Sequence, residues 1–171
     1  MEELDTQRKL IAVTALSADY CRTLENCGDF ETDDFVARML NLLPRLYLAF
    51  TDVVPEDNLD FDSEDVYFET YVDEDFYESI RRKAELLLGP DDTFLETFEE
   101  NMKYSDTPIA ASISECLADI FQPLFNFISV VKDTEGEKIE EAYRECRENF
   151  TGYWAQTLCN VMRALNYLRF K

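Results

Sequence analysis

From Ile139 to Leu168 an apolar side chain recurs every three or four residues: Ile139, Tyr143, Cys146, Phe150, Trp154, Leu158, Val161, Leu165 and Leu168. That spacing is one face of an α-helix, not the two-residue alternation of a half-buried strand. Unbroken over residues 137–170, such a helix would extend about 50 Å, longer than a small bundle. The pattern therefore predicts either an overhang or a bend at Thr151-Gly152. A stripe of this length needs other helices to cover it, which points to an all-α fold.

The rest of the chain supplies those helices. Leu10, Val13, Leu16, Tyr20, Leu24 and Cys27 predict a first helix, with Asp5 or Thr6 as its cap and Gly28 as a left-handed stop. A second opens at Thr32-Asp33-Asp34 with Phe35, Met39, Leu42, Leu46, Phe50 and Val53. Val36, Leu40, Leu43 and Tyr47 widen that stripe, so this helix is expected at the centre of the bundle, kinked or broken at Pro44. Phe76, Ile80, Ala84 and Leu87 predict a third that starts at Asp73, where the acids Asp73, Glu74 and Asp75 favour its positive N-terminal end, and that is ended by Gly89-Pro90. A short helix should follow, with Thr93 and Glu96 as a capping box and Phe94, Leu95, Phe98 and Met102 turned inward. A long one is expected after Thr107-Pro108, with Ile109, Ile113, Leu117, Ile120, Leu124, Phe127 and Val131 on its stripe and a kink at Pro123. Thr134 and Glu137 suggest a second capping box before the final stripe. No alternating run predicts a strand, and four Gly and five Pro leave little material for the turns of an all-β fold. The expected architecture is a single-domain antiparallel bundle of five or six helices over residues 1–171. Its one long connection is acidic, at about residues 52–72.

Charge narrows function. The net charge is −21, and residues 46–102 hold eighteen acidic against three basic side chains. Phosphate backbones and anionic membrane surfaces are disfavoured as partners, because both are bound through Lys and Arg. A basic protein or peptide, or a divalent cation, suits the field. The absence of histidine excludes Ser-His-Asp and Cys-His catalysis, HExxH zinc sites and His-ligated haem. Cys21, Cys27, Cys116, Cys146 and Cys159 show no CxxC spacing and read as buried thiols in a reducing compartment. The N-terminal "MEELDTQRKL" lacks a signal-peptide apolar core, no apolar run has membrane-spanning length, and the cytoplasm is the expected location.

Three constellations carry candidate chemistry. The first is the stretch "DNLDFDSEDVYFE" from Asp57 to Glu69, in which aromatics interleave with acids. Glu56, Asp57, Asp60, Phe61, Asp62, Glu64, Asp65, Tyr67, Phe68 and Glu69 could present an acidic, aromatic-studded surface to a basic partner. The same aromatics, with Tyr71 and Phe76, could instead tether the connection to its own bundle, and that reading ranks first. The second constellation overlaps it. Asn58, Asp60, Asp62, Glu64 and Glu69 fall at positions one, three, five, seven and twelve of a calcium-loop template. Asn at position one, Ser63 where the turn wants Gly, and Pro55 at the entering helix all depart from it.

The third is a pair of acidic motifs, Glu96 with Glu99 and Glu115 with Asp119. All-α pyrophosphohydrolases hold magnesium with ExxE followed by ExxD, and here the second spacing is one residue too long. The competing reading is a structural polar network of Ser112, Glu115, Asp119 and Arg163 that sets helix register, with Gln156 and Asn160 on the same strip of the last helix. Tyr153-Trp154 reads as a core anchor. No catalytic residue and no cofactor is expected; magnesium or calcium enters only under the two alternatives.

The stretches "MKYSDTPIAASISECLADIFQPL", "ENFTGYWAQTLCNVMRAL" and "FVARMLNLLPRLYL" resemble an uncharacterised bacterial family, a domain of unknown function of acidic, all-helical cytoplasmic proteins. The resemblance spans nearly the whole chain apart from the acidic connection. It implies a helical fold, no assigned reaction and no catalytic residue. From the acidic, aromatic-studded surface the functional expectation is a non-catalytic adaptor or chaperone-like interaction protein that presents it to a basic partner, with a magnesium-dependent all-α nucleotide phosphohydrolase and a calcium-binding loop protein as the alternatives.

Overall fold

The computed structural model describes residues 1–55, 68–96, 103 and 107–171. Among them are six α-helices: α1 (Glu2–Glu25), α2 (Thr32–Asp52), α3 (Glu74–Leu88), α4 (Ile113–Asp133), α5 (Ile139–Asn149) and α6 (Ala155–Phe170). The fold is all-α, as the apolar periodicity requires. A small antiparallel ribbon of β1 (Thr93–Leu95) and β2 (Ala110–Ser112) accompanies the helices, with Thr93 opposite Ser112 and Leu95 opposite Ala110.

One hydrophobic core joins all six helices. The helix at its centre is α4, which packs against α1, α3, α5 and α6, whereas α2 packs on α1 and α6. Centrality therefore belongs to the Ile113–Asp133 stripe and not to the second helix. Trp154 is fully buried and packs edge-on to Phe50 at 4.9 Å, and Phe50 stacks on Tyr143 at 5.3 Å. Buried phenols find backbone acceptors: Tyr20 OH donates to Leu117 O at 2.7 Å and Tyr143 OH to Val53 O at 2.6 Å. Each such bond removes the cost of leaving a hydroxyl unpaired inside the core.

Several local expectations are corrected. Thr93–Leu95 is a strand and not the start of a helix, because its backbone groups find partners across the ribbon. Phe98, Met102 and Glu99 lie outside the described residues. The long helix begins at Ile113, with Ser112 as its cap, so Thr107-Pro108 precedes the ribbon strand instead of opening the helix. α1 already begins at Glu2, which puts Asp5 and Thr6 inside it, and it ends at Glu25 before a 3₁₀ turn through Gly28. Left-handed glycines occur at Gly89, φ 56°, and Gly136, φ 83°, not at Gly28. Both α2 and α4 run on through their prolines, Pro44 and Pro123, so neither breaks there. Thr134 closes α4 by donating to Val130 O at 2.8 Å, and α5 starts at Ile139 with no side-chain cap; the predicted box does not form.

The start of α3 follows expectation: the Asp73 carboxylate accepts the Phe76 N–H at 2.7 Å. The final stripe is continuous but not uniform. Between α5 and α6 lies a π turn, Phe150–Trp154, in which the Ala155 N–H reaches back five residues to Phe150 O. The irregularity thus falls on Thr151-Gly152, the predicted position.

Candidate functional site

Two places gather chemistry-bearing residues. The first is the corner where the ribbon meets α4, α6 and the π turn. Asp92 is buried just before β1 and accepts both the N–H and the Oγ–H of Ser114, each at 2.7 Å. A carboxylate facing the first turn of α4 satisfies a donor left open by the helix and complements its positive end. Ser112 Oγ accepts the Glu115 N–H at 3.3 Å. Glu96 extends the ribbon, its N–H donating to Ile109 O at 2.8 Å, and its buried carboxylate accepts from Asn160 Nδ2 at 3.2 Å. Arg163 Nη2 donates to Leu95 O at 2.5 Å.

Asp119 sits one turn further along α4. Tyr77 OH, from α3, donates to Oδ1 at 2.5 Å, and Tyr153 OH, from the π turn, donates to Oδ2 at 3.0 Å. Burial and the bond to Asp119 push the Tyr77 phenol well up. Tyr153 is exposed, unlike its neighbour Trp154 in the core, but partial desolvation of its hydroxyl and the Asp119 charge push it up to about 12. Cys116 beside them is raised to about 12 by burial and by Glu96, Asp119, Glu115 and Asp92. A thiol so placed stays protonated and makes a poor nucleophile. Cys21, Cys27 and Cys146 are buried as expected, whereas Cys159 is exposed.

This geometry corrects the predicted network. Ser112 and Glu115 meet, but through the serine hydroxyl and a backbone N–H at the helix cap. Asp119 is held by two phenols, and Arg163 by a ribbon carbonyl. Among the described residues no ion pair joins Arg163 to either acid. The acids of the magnesium reading are engaged apart: Glu96 with Asn160, Asp119 with the tyrosines, and Glu115 exposed. Among the described residues no three His, Cys, Asp or Glu side chains converge on a point that could hold a metal. The corner is a latch: side-chain hydrogen bonds tie the ribbon to α4 and α6, and α3 to α4 and the π turn. The phenol contacts to Asp119 carried no sequence signal, because Tyr77 and Tyr153 lie on separate elements.

The second place is where the acidic connection returns to the bundle. Phe68 and Tyr71 pack on the core, and Val72 is buried. The Tyr71 N–H donates to Asn126 Oδ1 at 2.8 Å and its OH to Asp133 Oδ2 at 2.6 Å. Phe76 meets Phe121 and Phe125 edge-on at 5.6 and 5.0 Å. These aromatics anchor to their own bundle, as the preferred reading of the stretch requires. Glu56, Asp57, Asn58, Asp60, Phe61, Asp62, Glu64, Asp65 and Tyr67 lie outside the described residues, and with them most of the calcium template and of the partner surface. Of those two sets only Phe68 and Glu69 are described.

Between residues 68–70, α4 and α5 opens a cleft of about 80 Å³. Its walls include the buried Phe127, Val130 and Ala142 and the half-buried Phe68, while Glu69 and Glu145 are exposed at it. Among the described residues no Lys or Arg lines it. Partial desolvation at the cleft mouth and the neighbouring Glu148 raise the Glu145 carboxyl above its ordinary value. The sequence placed Phe68 and Glu69 in the expected partner surface but gave no sign of α5 beside them, because Glu145 reads in sequence as one more solvated acid.

Among the described residues no helix is long and apolar enough to cross a membrane. The chain is similar in structure to protein BF1032 from Bacteroides fragilis, with a TM-score of 0.81, 31% identity, and coverage of 95% of this chain and 93% of that one. No curated protein matches it. Residues 5–171 match the family described as "Domain of unknown function (DUF5063)". With that match over nearly its whole length, the chain belongs to the DUF5063 family.

Proposed function

We propose that this protein is a non-catalytic adaptor or chaperone-like protein of the cytoplasm that holds a basic protein or peptide on its acidic flank. One observation carries the reading. Residues 46–80 contain no Lys or Arg, and the return of that stretch is pinned by Tyr71 to α4, beside α5. Glu69, Asp133 and Glu145 thereby come from three segments onto one flank. Opposed to a basic partner, such a field raises encounter rates and selects by charge. The field equally disfavours nucleic acid and anionic membrane. A cleft of about 80 Å³ suits a side chain, and falls short of the several hundred Å³ that enclose a nucleotide-sized ligand. The cytoplasmic part of the reading is supported by five cysteines that are all free thiols.

The test is fluorescence anisotropy with a labelled lysine-rich peptide over a salt series. Affinity should fall steadily as salt rises, since exposed charges are screened beyond about 8 Å at physiological ionic strength. Binding indifferent to salt, or no binding at low salt, would reject the proposal.

A further inference from the structure

We propose that the cleft between residues 68–70, α4 and α5 is where the partner is read, and that its occupant is a single lysine side chain of that partner. This inference rests on the acidic-flank reading and adds a defined contact to it.

The cleft offers the two surfaces a lysine needs. Phe68, Phe127, Val130 and Ala142 are apolar and would cover a four-carbon stem, while Glu69 and Glu145 stand exposed for the ammonium group. Ala142 is the reason there is space: a larger apolar residue at that buried position of α5 would fill the cleft. Among the described residues no base of the chain lines it. Arg147, two residues beyond Glu145, donates to Phe50 O at 3.1 Å. Partial desolvation at the cleft and the neighbouring Glu148 both disfavour the Glu145 charge, and a cation seated there would offset them. Lysine fits better than arginine. A planar guanidinium pairs best with one carboxylate in a bidentate fork, whereas two carboxylates on separate segments suit a compact point charge.

The experiment uses the full chain and a fluorescein-labelled lysine-serine-glycine repeat peptide. Its controls are the ε-acetylated peptide and the arginine version. Glu69→Gln combined with Glu145→Gln should weaken binding about tenfold, the sum of two partly exposed pairs. Asn149→Phe, which obstructs the cleft from an exposed position, should do the same without touching charge. Asp33→Asn with Asp34→Asn at the start of α2 removes as much charge elsewhere and should cost clearly less. Methyl NMR signals of Ala142 and Val130 should shift on adding the lysine peptide and not the acetylated one.

A double mutant at the cleft no weaker than the α2 control would overturn the cleft assignment and leave the acidic-flank reading standing. Unmoved methyl signals with peptide bound would do so too. Equal affinity for the arginine peptide would overturn the choice of lysine. Spermidine shifting the two methyls when the peptide does not would overturn a protein-borne occupant. Failure of the unmodified protein to bind any basic peptide would remove both readings.

Discussion

Asp119 shows how a residue's role depends on what reaches it. In sequence it is half of an acidic pair one turn apart. In the fold both its oxygens are taken by phenols, Tyr77 at 2.5 Å and Tyr153 at 3.0 Å. Tyrosine is neutral when protonated, so partial desolvation and the bonds to Asp119 hold both phenols protonated beyond their ordinary value of 10.0. The folded state then retains protons that the unfolded state has released, and stability falls as pH rises. For Tyr153 the window runs from 10.0 to about 12. Urea unfolding should therefore weaken progressively above pH 10, with a shallower decline in the Tyr77→Phe/Tyr153→Phe double mutant. At neutral pH Tyr77→Phe should cost about 1 kcal/mol, the worth of a half-buried hydrogen bond. An identical alkaline decline in the double mutant would show that these phenols do not carry it.

At the scale of the element, the π turn is the informative irregularity. Cys146, Phe150, Trp154 and Leu158 follow one another at three successive steps of four. Each such step overshoots a regular α-turn by about 40°, so three accumulate about 120°. One additional residue accommodated in the π turn removes about 100° of that, and all four side chains stay buried. The signal was present in the spacing, and it coincides with Gly152. Because a π turn behaves as a one-residue insertion in an α-helix, deleting Gly152 should leave α5 and α6 in register. Thermal unfolding by circular dichroism should then change by no more than the equivalent of ~1–2 kcal/mol. Deleting the exposed Cys159 should be far worse: it would rotate Trp154 and Leu158 about 100° against Val161 and Leu165, and a cooperative transition should be lost. Equal tolerance of both deletions would contradict this account. The ribbon, by contrast, was illegible. Three-residue strands are too short to display alternation, and the pairing of Thr93 with Ser112 is not local.

For the molecule as a whole, the dominant quantity is the charge of −21. Among the described residues most ion pairs lie within one helical stretch, such as Arg81 with Glu78 and Glu85, while Arg38–Asp19 and Lys171–Asp91 link distant segments. Such exposed pairs are screened by water and salt and do not offset the long-range repulsion among surplus acids. Sodium chloride should therefore stabilise the fold. The melting temperature should rise between low salt and about 1 M, where screening acts within about 3 Å. A falling melting temperature would mean that attraction between unlike charges outweighs that repulsion.

The sequence by itself determined that this protein is a bundle of amphipathic helices, where α2 and α3 begin, and that its surface is acidic. Those properties follow from spacings of three and four residues, from the acids at the first turns of α2 and α3, with Asp73 capping α3, and from composition, all of which act locally along the chain. Only the tertiary structure decided that α4 is central, that Asp119 is bound by tyrosines and Arg163 by a carbonyl, and that Glu145 shares a cleft with Glu69. Each of these depends on which distant segments meet, and that is set by how the apolar faces pack together rather than by any one segment's pattern.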